Sequence, residues 1–131
     1  MAQKVPVWAF RLILRVCVEC DADLPMVTWH KSKHSYSSGR TWPGRKMCRR
    51  GRIHVTAGRD SRDQRFVVLH ELAHHLLPAS EHHSERFFRL AFLLYQRHGV
   101  PLRYARKREA DMKASESGYQ HARAVAKGRP H

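Results

Sequence analysis

The sequence predicts an α+β domain in which a small N-terminal β-sheet packs on two helices. The chain has 131 residues, which is enough for one hydrophobic core. Its first half contains short segments rich in β-branched and aromatic residues between turn signals. Two longer segments with apolar residues at helical spacing follow, at about 60–77 and 81–98. We predict that the domain spans residues 1–104 and that residues 105–131 form a basic helix or a disordered tail.

The N-terminal half is expected to supply the sheet. Residues 7–18 favour a strand, because Phe10, Leu12 and Leu14 alternate with arginines, although a helical period also fits. Residues 28–51 contain the turn signals Ser-Ser-Gly and Trp-Pro-Gly, and we predict turn or hairpin connections there.

The first helix is predicted to begin near Asp60 and to end before Pro78. Asp60 is a candidate N-cap, and Ser61 with Gln64 offers a capping box as the alternative. Apolar residues after position 65 cover most of the helix circumference, so the helix is expected to be buried.

This helix carries the motif His70-Glu71-Leu72-Ala73-His74. Residues four apart lie on one helical face, so the imidazoles of His70 and His74 can converge on one metal ion. Glu71 lies one step round the helix, where it can act as general base toward a water whose pKa the metal lowers to about 7. The alternative is that these histidines only form hydrogen bonds in the core. Burying them without a partner would cost free energy, which favours the metal.

A second helix is predicted from about Glu81 to about His98, with Ser80 as N-cap and Gly99 after the last turn. Its inward stripe consists of apolar residues at helical spacing: Phe87, Leu90, Ala91 and Leu94.

A catalytic zinc ion needs three protein ligands and one open position. His83 is the preferred third ligand, because it lies four residues before Phe87 and is expected on the same face. Its neighbour His82 is assigned to solvent or to the surroundings of the ligands. Glu81 and Glu85 are the carboxylate alternatives.

The order of these residues resembles the SprT-like zinc metallopeptidases, including the DNA-dependent Spartan proteases, and small metallohydrolases of actinobacteria and their phages. The resemblance covers about residues 53–94 and combines the HExxH helix, a short loop and His83-Ser84-Glu85-Arg86-Phe87. Ser84 stands where that family usually has a glycine. The resemblance implies a minimal zincin-like domain, with the strand 52–56 beside the active-site cleft and able to pair with an extended substrate.

The resemblance also implies a zinc-dependent peptidase that acts on a protein or peptide. One catalytic Zn²⁺ would be held by His70, His74 and His83, with Glu71 as the catalytic base. Two alternatives stay open: a basic nucleic-acid-binding module with a structural zinc, and a metallohydrolase that does not cleave peptides.

Charge gives the second strong signal. The formal net charge of +14 favours a polyanionic partner, most simply DNA. Trp29, Tyr36 and Trp42 interleave with basic residues, which suits stacking on single-stranded nucleic acid, although we favour Trp29 and Trp42 as core anchors. The candidate contacts are Arg45, Lys46, Arg49, Arg50, Arg103, Arg106, Lys107 and Arg108.

The expected location is the cytoplasm. No apolar run approaches the length of a bilayer span, and the N-terminus lacks the pattern of a signal peptide. An odd number of cysteines argues against a disulfide framework. A second, structural zinc site is the alternative use of the cysteines, with Cys17, Cys20, His30 and His34, or with Cys48, as ligands.

Overall fold

The structure, a computed structural model, describes residues 4–42 and 50–113 and has the α+β fold that the sequence predicts. The chain divides into two compact units, Met1–Val100 and a second that begins at Pro101. The first unit contains, in order, α1 (Val7–Glu19), β1 (Met26–Lys31), β2 (Ser38–Trp42), β3 (Arg52–Ala57), α2 (Ser61–Leu76), a 3₁₀ turn (Ala79–Glu81) and α3 (Glu85–Arg97). The second unit begins with a helix over 102–113, α4. The predicted boundary at 104 stays a prediction.

The three strands form one sheet in the order β1-β3-β2, with β1 parallel and β2 antiparallel to β3. Side chains alternate between the two faces of a sheet, and here the strand register gives each face one parity of residue number. The odd-numbered positions form the inner face, which packs on α2, and the even-numbered positions form the outer face.

The position of β3 corrects one expectation. A strand at 52–56 was predicted correctly, but both of its edges are hydrogen-bonded, to β1 and to β2. It therefore has no edge with which to pair a substrate. The strand beside α2 with only one paired edge among the described residues is β2.

The strand predicted for residues 7–18 is wrong, because this segment is the helix α1. Its buried residues recur at helical spacing: Ala9, Leu12, Ile13, Val16 and Cys17. Phe10 and Leu14, which suggested alternation, are exposed, so the helical period decides the structure. Two strands, β1 and β2, lie largely within the segment where turn or hairpin connections were predicted. Both strands are short and half polar, so their apolar signal in the sequence is weak.

Helix α2 begins as predicted. Asp60 is its N-cap, and the carboxylate accepts hydrogen bonds from the backbone N–H groups of Arg62 at 2.9 Å and Asp63 at 3.1 Å. Residues 66–73 of the helix are all buried. This packing fixes α2 against the inner face of the sheet.

Helix α3 begins later than predicted, since Ser80 lies in the 3₁₀ turn and Ser84 is the true N-cap. The Ser84 hydroxyl accepts from the Phe87 N–H at 3.1 Å and lies 2.6 Å from a carboxylate oxygen of Glu81. His83 therefore precedes the helix, and the argument that placed it on the same helical face as Phe87 is wrong. The predicted inward stripe is correct at Phe87, Ala91 and Leu94, with Tyr95 buried and Leu90 only half-buried.

Candidate metal centre

Three imidazoles converge between α2 and α3. Nε2 of His83 lies 3.2 Å from Nε2 of His74 and 3.4 Å from Nε2 of His70. The three donor atoms all lie within 4.8 Å of one another. His70 and His74 share one face of α2 as an i, i+4 pair. These are the residues that the sequence predicted as metal ligands.

The spacing of these nitrogens fits a tetrahedral ion. Zinc binds imidazole nitrogen at about 2.0–2.1 Å, and a tetrahedral angle then separates two such nitrogens by about 3.3 Å. The two separations from Nε2 of His83 lie close to that value. Burial, together with the charges of His70, His83 and His82, lowers the pKa of His74 to about 3. This keeps His74 neutral, as a metal ligand must be.

The third imidazole reaches the cluster through an unusual backbone conformation. His83 has φ of 49°, in the left-handed region that non-glycine residues seldom adopt. Such a conformation costs on the order of 1 kcal/mol or more and persists only where the surrounding structure holds it. Here the 3₁₀ turn precedes it and the Ser84 cap follows it. The serine that departs from the SprT-like glycine thus serves as a helix cap.

The alternative ligands lie elsewhere. His82 is exposed, and its ring stacks on that of His74 with centroids 5.0 Å apart, as expected for a residue at the periphery of the site. Glu81 contacts Ser84, and Glu85 pairs with an arginine one turn along α3 at 2.6 Å. Neither carboxylate belongs to the cluster of donor atoms.

Aromatic rings orient the imidazoles of the cluster. The Phe87 ring stacks on His74 with a centroid distance of 4.2 Å and meets His70 edge-on at 5.1 Å. The hydroxyl of Tyr95 lies 3.4 Å from Nδ1 of His70. A partner at this second nitrogen selects the tautomer of a ligating imidazole. Tyr95 is itself held by stacking on Phe66 at 5.1 Å.

Glu71 is buried against the inner face of β2, a contact that no local sequence pattern predicts. The Thr41 hydroxyl donates a hydrogen bond to Oε1 of Glu71 at 2.7 Å. Gly39 lies beside the same side chain: a Cβ at this position would come within 2.7 Å of Cγ and 3.0 Å of Oε2 of Glu71. Gly39 was interpreted only as part of a turn signal. Its role depends on the sheet register, which no local pattern specifies.

The predicted nucleic-acid contacts have different surroundings. Arg103, Arg106 and Lys107 are exposed and share one face of α4. Arg108 is only 8 % exposed, which argues against its contact with an external phosphate. Arg50 is exposed, and its Nε donates to the Leu24 carbonyl at 2.8 Å. The remaining candidates lie outside the described residues: Arg45, Lys46 and Arg49.

The tryptophan predictions are half correct. Trp29 is a core residue at 1 % exposure, as expected, whereas Trp42 is 43 % exposed. The core position of Trp29 follows from its place on the inner face of β1, and the exposure of Trp42 from its place on the outer face of β2.

Neither of the two cysteines that the structure describes belongs to a metal-binding cluster. Cys17 is buried and Cys20 is exposed, and within the described ranges 4–42 and 50–113 no metal-binding cluster includes either of them. Burial, with the nearby Cys20 and Asp23 charges, raises the pKa of Cys17 to about 11, which makes it a poor thiolate ligand. Cys48 lies outside the described residues. None of the helices in the described part is long and apolar enough to cross a membrane.

An α+β fold with three convergent imidazoles and a buried carboxylate is the arrangement expected of a metallopeptidase-like domain. The chain belongs to the peptidase M78 family, the IrrE N-terminal-like domain, whose model matches residues 22–91. The match spans the sheet, α2 and the first half of α3. It confirms a metallopeptidase-like family and does not extend to the SprT-like identity. No significant match is found among curated proteins or solved structures.

Proposed function

We propose that this protein is a zinc-dependent peptidase of the HExxH type. The convergence of three imidazole nitrogens at separations that suit zinc is the observation that carries the proposal. His70, His74 and His83 would hold the ion, and Glu71 lies on the same helix with its carboxylate buried. Membership of a peptidase family supports peptide-bond hydrolysis as the reaction.

Zinc at this site would supply electrophilic polarisation of the scissile carbonyl and acidification of the attacking water. Glu71 would accept a proton from that water at its carboxylate and deliver it to the leaving amine. Thr41 holds one carboxylate oxygen through its hydroxyl, and Gly39 leaves space for the other. Both residues therefore act as positioning residues for the base.

We propose that the substrate is an extended peptide that pairs with β2. This strand lies beside Glu71 and is hydrogen-bonded to β3 along one edge only, within the residues described. An added strand would gain backbone hydrogen bonds with little demand on its side chains. In this proposal Ser38–Trp42, and not the strand 52–56, pairs with the extended substrate.

We further propose that the peptidase is SprT-like and acts near nucleic acid in the cytoplasm. Its activity would then depend on DNA, as in the Spartan proteases. The net charge of +14 and the exposed basic face of α4, formed by Arg103, Arg106 and Lys107, support this association. Binding to DNA should weaken with rising salt, with a log-log slope of roughly −0.7 to −0.9 per phosphate contacted. Absence of DNA binding at low salt would refute the association with nucleic acid and would leave the peptidase proposal unaffected.

Metal content and hydrolysis in two neighbouring histidine variants test the peptidase proposal. Zinc-loaded wild-type protein should contain one ion per chain and cleave an unfolded protein such as casein. His83→Ala should lose metal affinity and activity, whereas His82→Ala, the matched control, should keep both. Zinc lost in His82→Ala but kept in His83→Ala would overturn the ligand assignment. Zinc held by four protein ligands, with no cleavage, would favour the structural-zinc alternative.

A further inference from the structure

The outer face of the sheet carries chemistry that the proposed peptidase does not use. In the strand register, Arg52 of β3 lies between Met26 and Trp42, and in the next row His54 lies between Thr28 and Arg40. The even-numbered positions of the three strands include no acidic residue. This face is therefore a basic surface with an aromatic side chain at one corner.

Several side chains of the outer face are exposed to solvent. Arg40 and Arg52 are exposed, and neither has a carboxylate partner among the described residues. Trp42 and Met26 are also among the exposed large apolar side chains, one on each flank of Arg52. The exposed Trp42 and the arginines that lack a carboxylate partner among the described residues together offer a ligand a flat apolar surface and positive charge.

The arrangement suits one kind of ligand. Arg40 and Arg52 are diagonal neighbours on adjacent strands, so their guanidinium groups can both reach one sugar-phosphate backbone. The indole of Trp42 offers a flat surface on which an unpaired base can stack. Open sheet faces that combine basic and aromatic side chains are a known way of holding single strands. A duplex hides its bases from such a face.

The polar centre of the face adds hydrogen-bonding groups. Nδ1 of His54 lies 2.6 Å from the Thr28 hydroxyl, and the His30 ring lies 5.2 Å from that of His54. Hydroxyl and imidazole groups can hydrogen-bond to phosphate or base edges without demanding a fixed sequence.

We propose that the outer face binds single-stranded nucleic acid, with Arg40 and Arg52 at phosphates and Trp42 stacked on a base. This inference rests on the proposed association with nucleic acid and is independent of the peptidase chemistry. Glu71 lies against the inner face, through Gly39 and Thr41. A peptide paired along the edge of β2 and a nucleic-acid strand bound across the outer face would therefore contact different surfaces of the sheet.

The test is fluorescence anisotropy of labelled dT12 and U12 with full-length protein at several salt concentrations. Arg40→Ala/Arg52→Ala should lower affinity at least about 10-fold and reduce the salt slope by about 0.7 per lost phosphate contact. The matched control is Arg11→Ala/Arg15→Ala, which removes the same charge from exposed positions on α1 and should change affinity by less than about 2-fold.

Trp42 is tested separately. Trp42→Ala should weaken binding at least about 5-fold, the lower limit for loss of one base stack, whereas Trp42→Phe should retain most of the affinity. Circular dichroism confirms that each variant is folded. The dT12 and U12 arms report whether DNA or RNA is preferred.

The outcomes separate the two proposals. If wild-type protein binds neither oligonucleotide at low salt, the association with nucleic acid fails and this inference fails with it. If wild-type protein binds but the outer-face variants behave like the α1 control, the association stands and the outer face is not the site. Tighter binding of a 12-base-pair duplex or of poly-glutamate would show that the occupant is wrong.

Discussion

The two faces of the three-stranded sheet differ in almost every physical property. On the inner face, Trp29, Ile53 and Val55 are buried against the helices, and β2 touches the catalytic candidate Glu71. The outer face instead exposes arginines and Trp42 to solvent. The difference teaches that neighbouring residues of a short strand can serve unrelated tasks, because alternate side chains point in opposite directions. Substitutions along one strand should therefore alternate in effect.

The largest contrast is expected between the two tryptophans. Trp29→Ala should lower the free energy of unfolding by about 3–5 kcal/mol, because it leaves a cavity beneath the edge-on ring of Trp8. Trp42→Ala, an exposed substitution, should change it by less than about 1 kcal/mol. Urea titration measures both. Equal losses in the two variants would contradict the assignment of faces.

The next effect concerns the inner-face carboxylate. Glu71→Gln keeps the size and the contact with Thr41 but removes the base, so kcat should fall at least about 10²-fold. Zinc content and thermal unfolding should stay near wild-type values, because Glu71 is assigned as a base and not as a ligand. A variant that remained active, or that lost its metal, would show that this role is wrong.

Two neighbouring residues of β2 allow the inner and outer faces to be compared within one strand. Gly39→Ala would place a methyl group 2.7 Å from Cγ of Glu71, so the carboxylate must move, and we expect kcat/KM to fall about 10-fold with zinc retained. Ser38→Ala, one residue away on the outer face, is the matched control and should leave hydrolysis unchanged. Similar activities for the two variants would mean that Gly39 does not position the base.

The smallest effect is a pH dependence in the metal-free protein. The pKa of His74 is lowered from 6.5 to about 3, mainly by burial, so the folded state resists a proton that the unfolded state accepts. The resulting stability is intact above pH 6.5 and is lost progressively as the pH falls toward 3. The contribution of His74 to the slope should stay below about 1.4 kcal/mol per pH unit, because one group binds at most one proton, and partial exposure weakens it further.

Urea titrations of chelator-treated protein between about pH 5 and 7 measure this slope. His74→Gln should flatten it. His54→Gln is the outer-face counterpart. The pKa of His54 is also lowered, by burial and by His30. Of these two histidines, His74 has the larger shift. A slope that depends more on His54 than on His74 would contradict the account.

Sequence reasoning succeeded where the signals are local. The spacing of His70 and His74, the Asp60 cap and the apolar run of α2 each depend on a few consecutive residues, and the structure agrees with them. His83 joins the cluster of imidazoles by a route other than the predicted helical face, because Ser84 caps α3 and His83 lies before it.

The errors occur where local signals conflict or are weak. Residues 7–18 fit both periods, and only packing against the core selects the helix. The contacts of Gly39 and Thr41 with Glu71 arise from the antiparallel pairing of β2 with β3, a strand that begins ten residues after β2 ends. No pattern within β2 itself specifies that partner, so these positioning residues had no sequence signal.

The left-handed residue His83 also constrains how this chain can change in length. Surface connections usually tolerate inserted residues at little thermodynamic cost. The connection between α2 and α3 is different. His83 lies nine positions after His74, and the connection contains, in order, a 3₁₀ turn, the left-handed residue His83 and the cap of α3. An added or deleted residue would rotate the third imidazole away from the other two. The length of this connection is therefore constrained by the convergence of the three imidazoles.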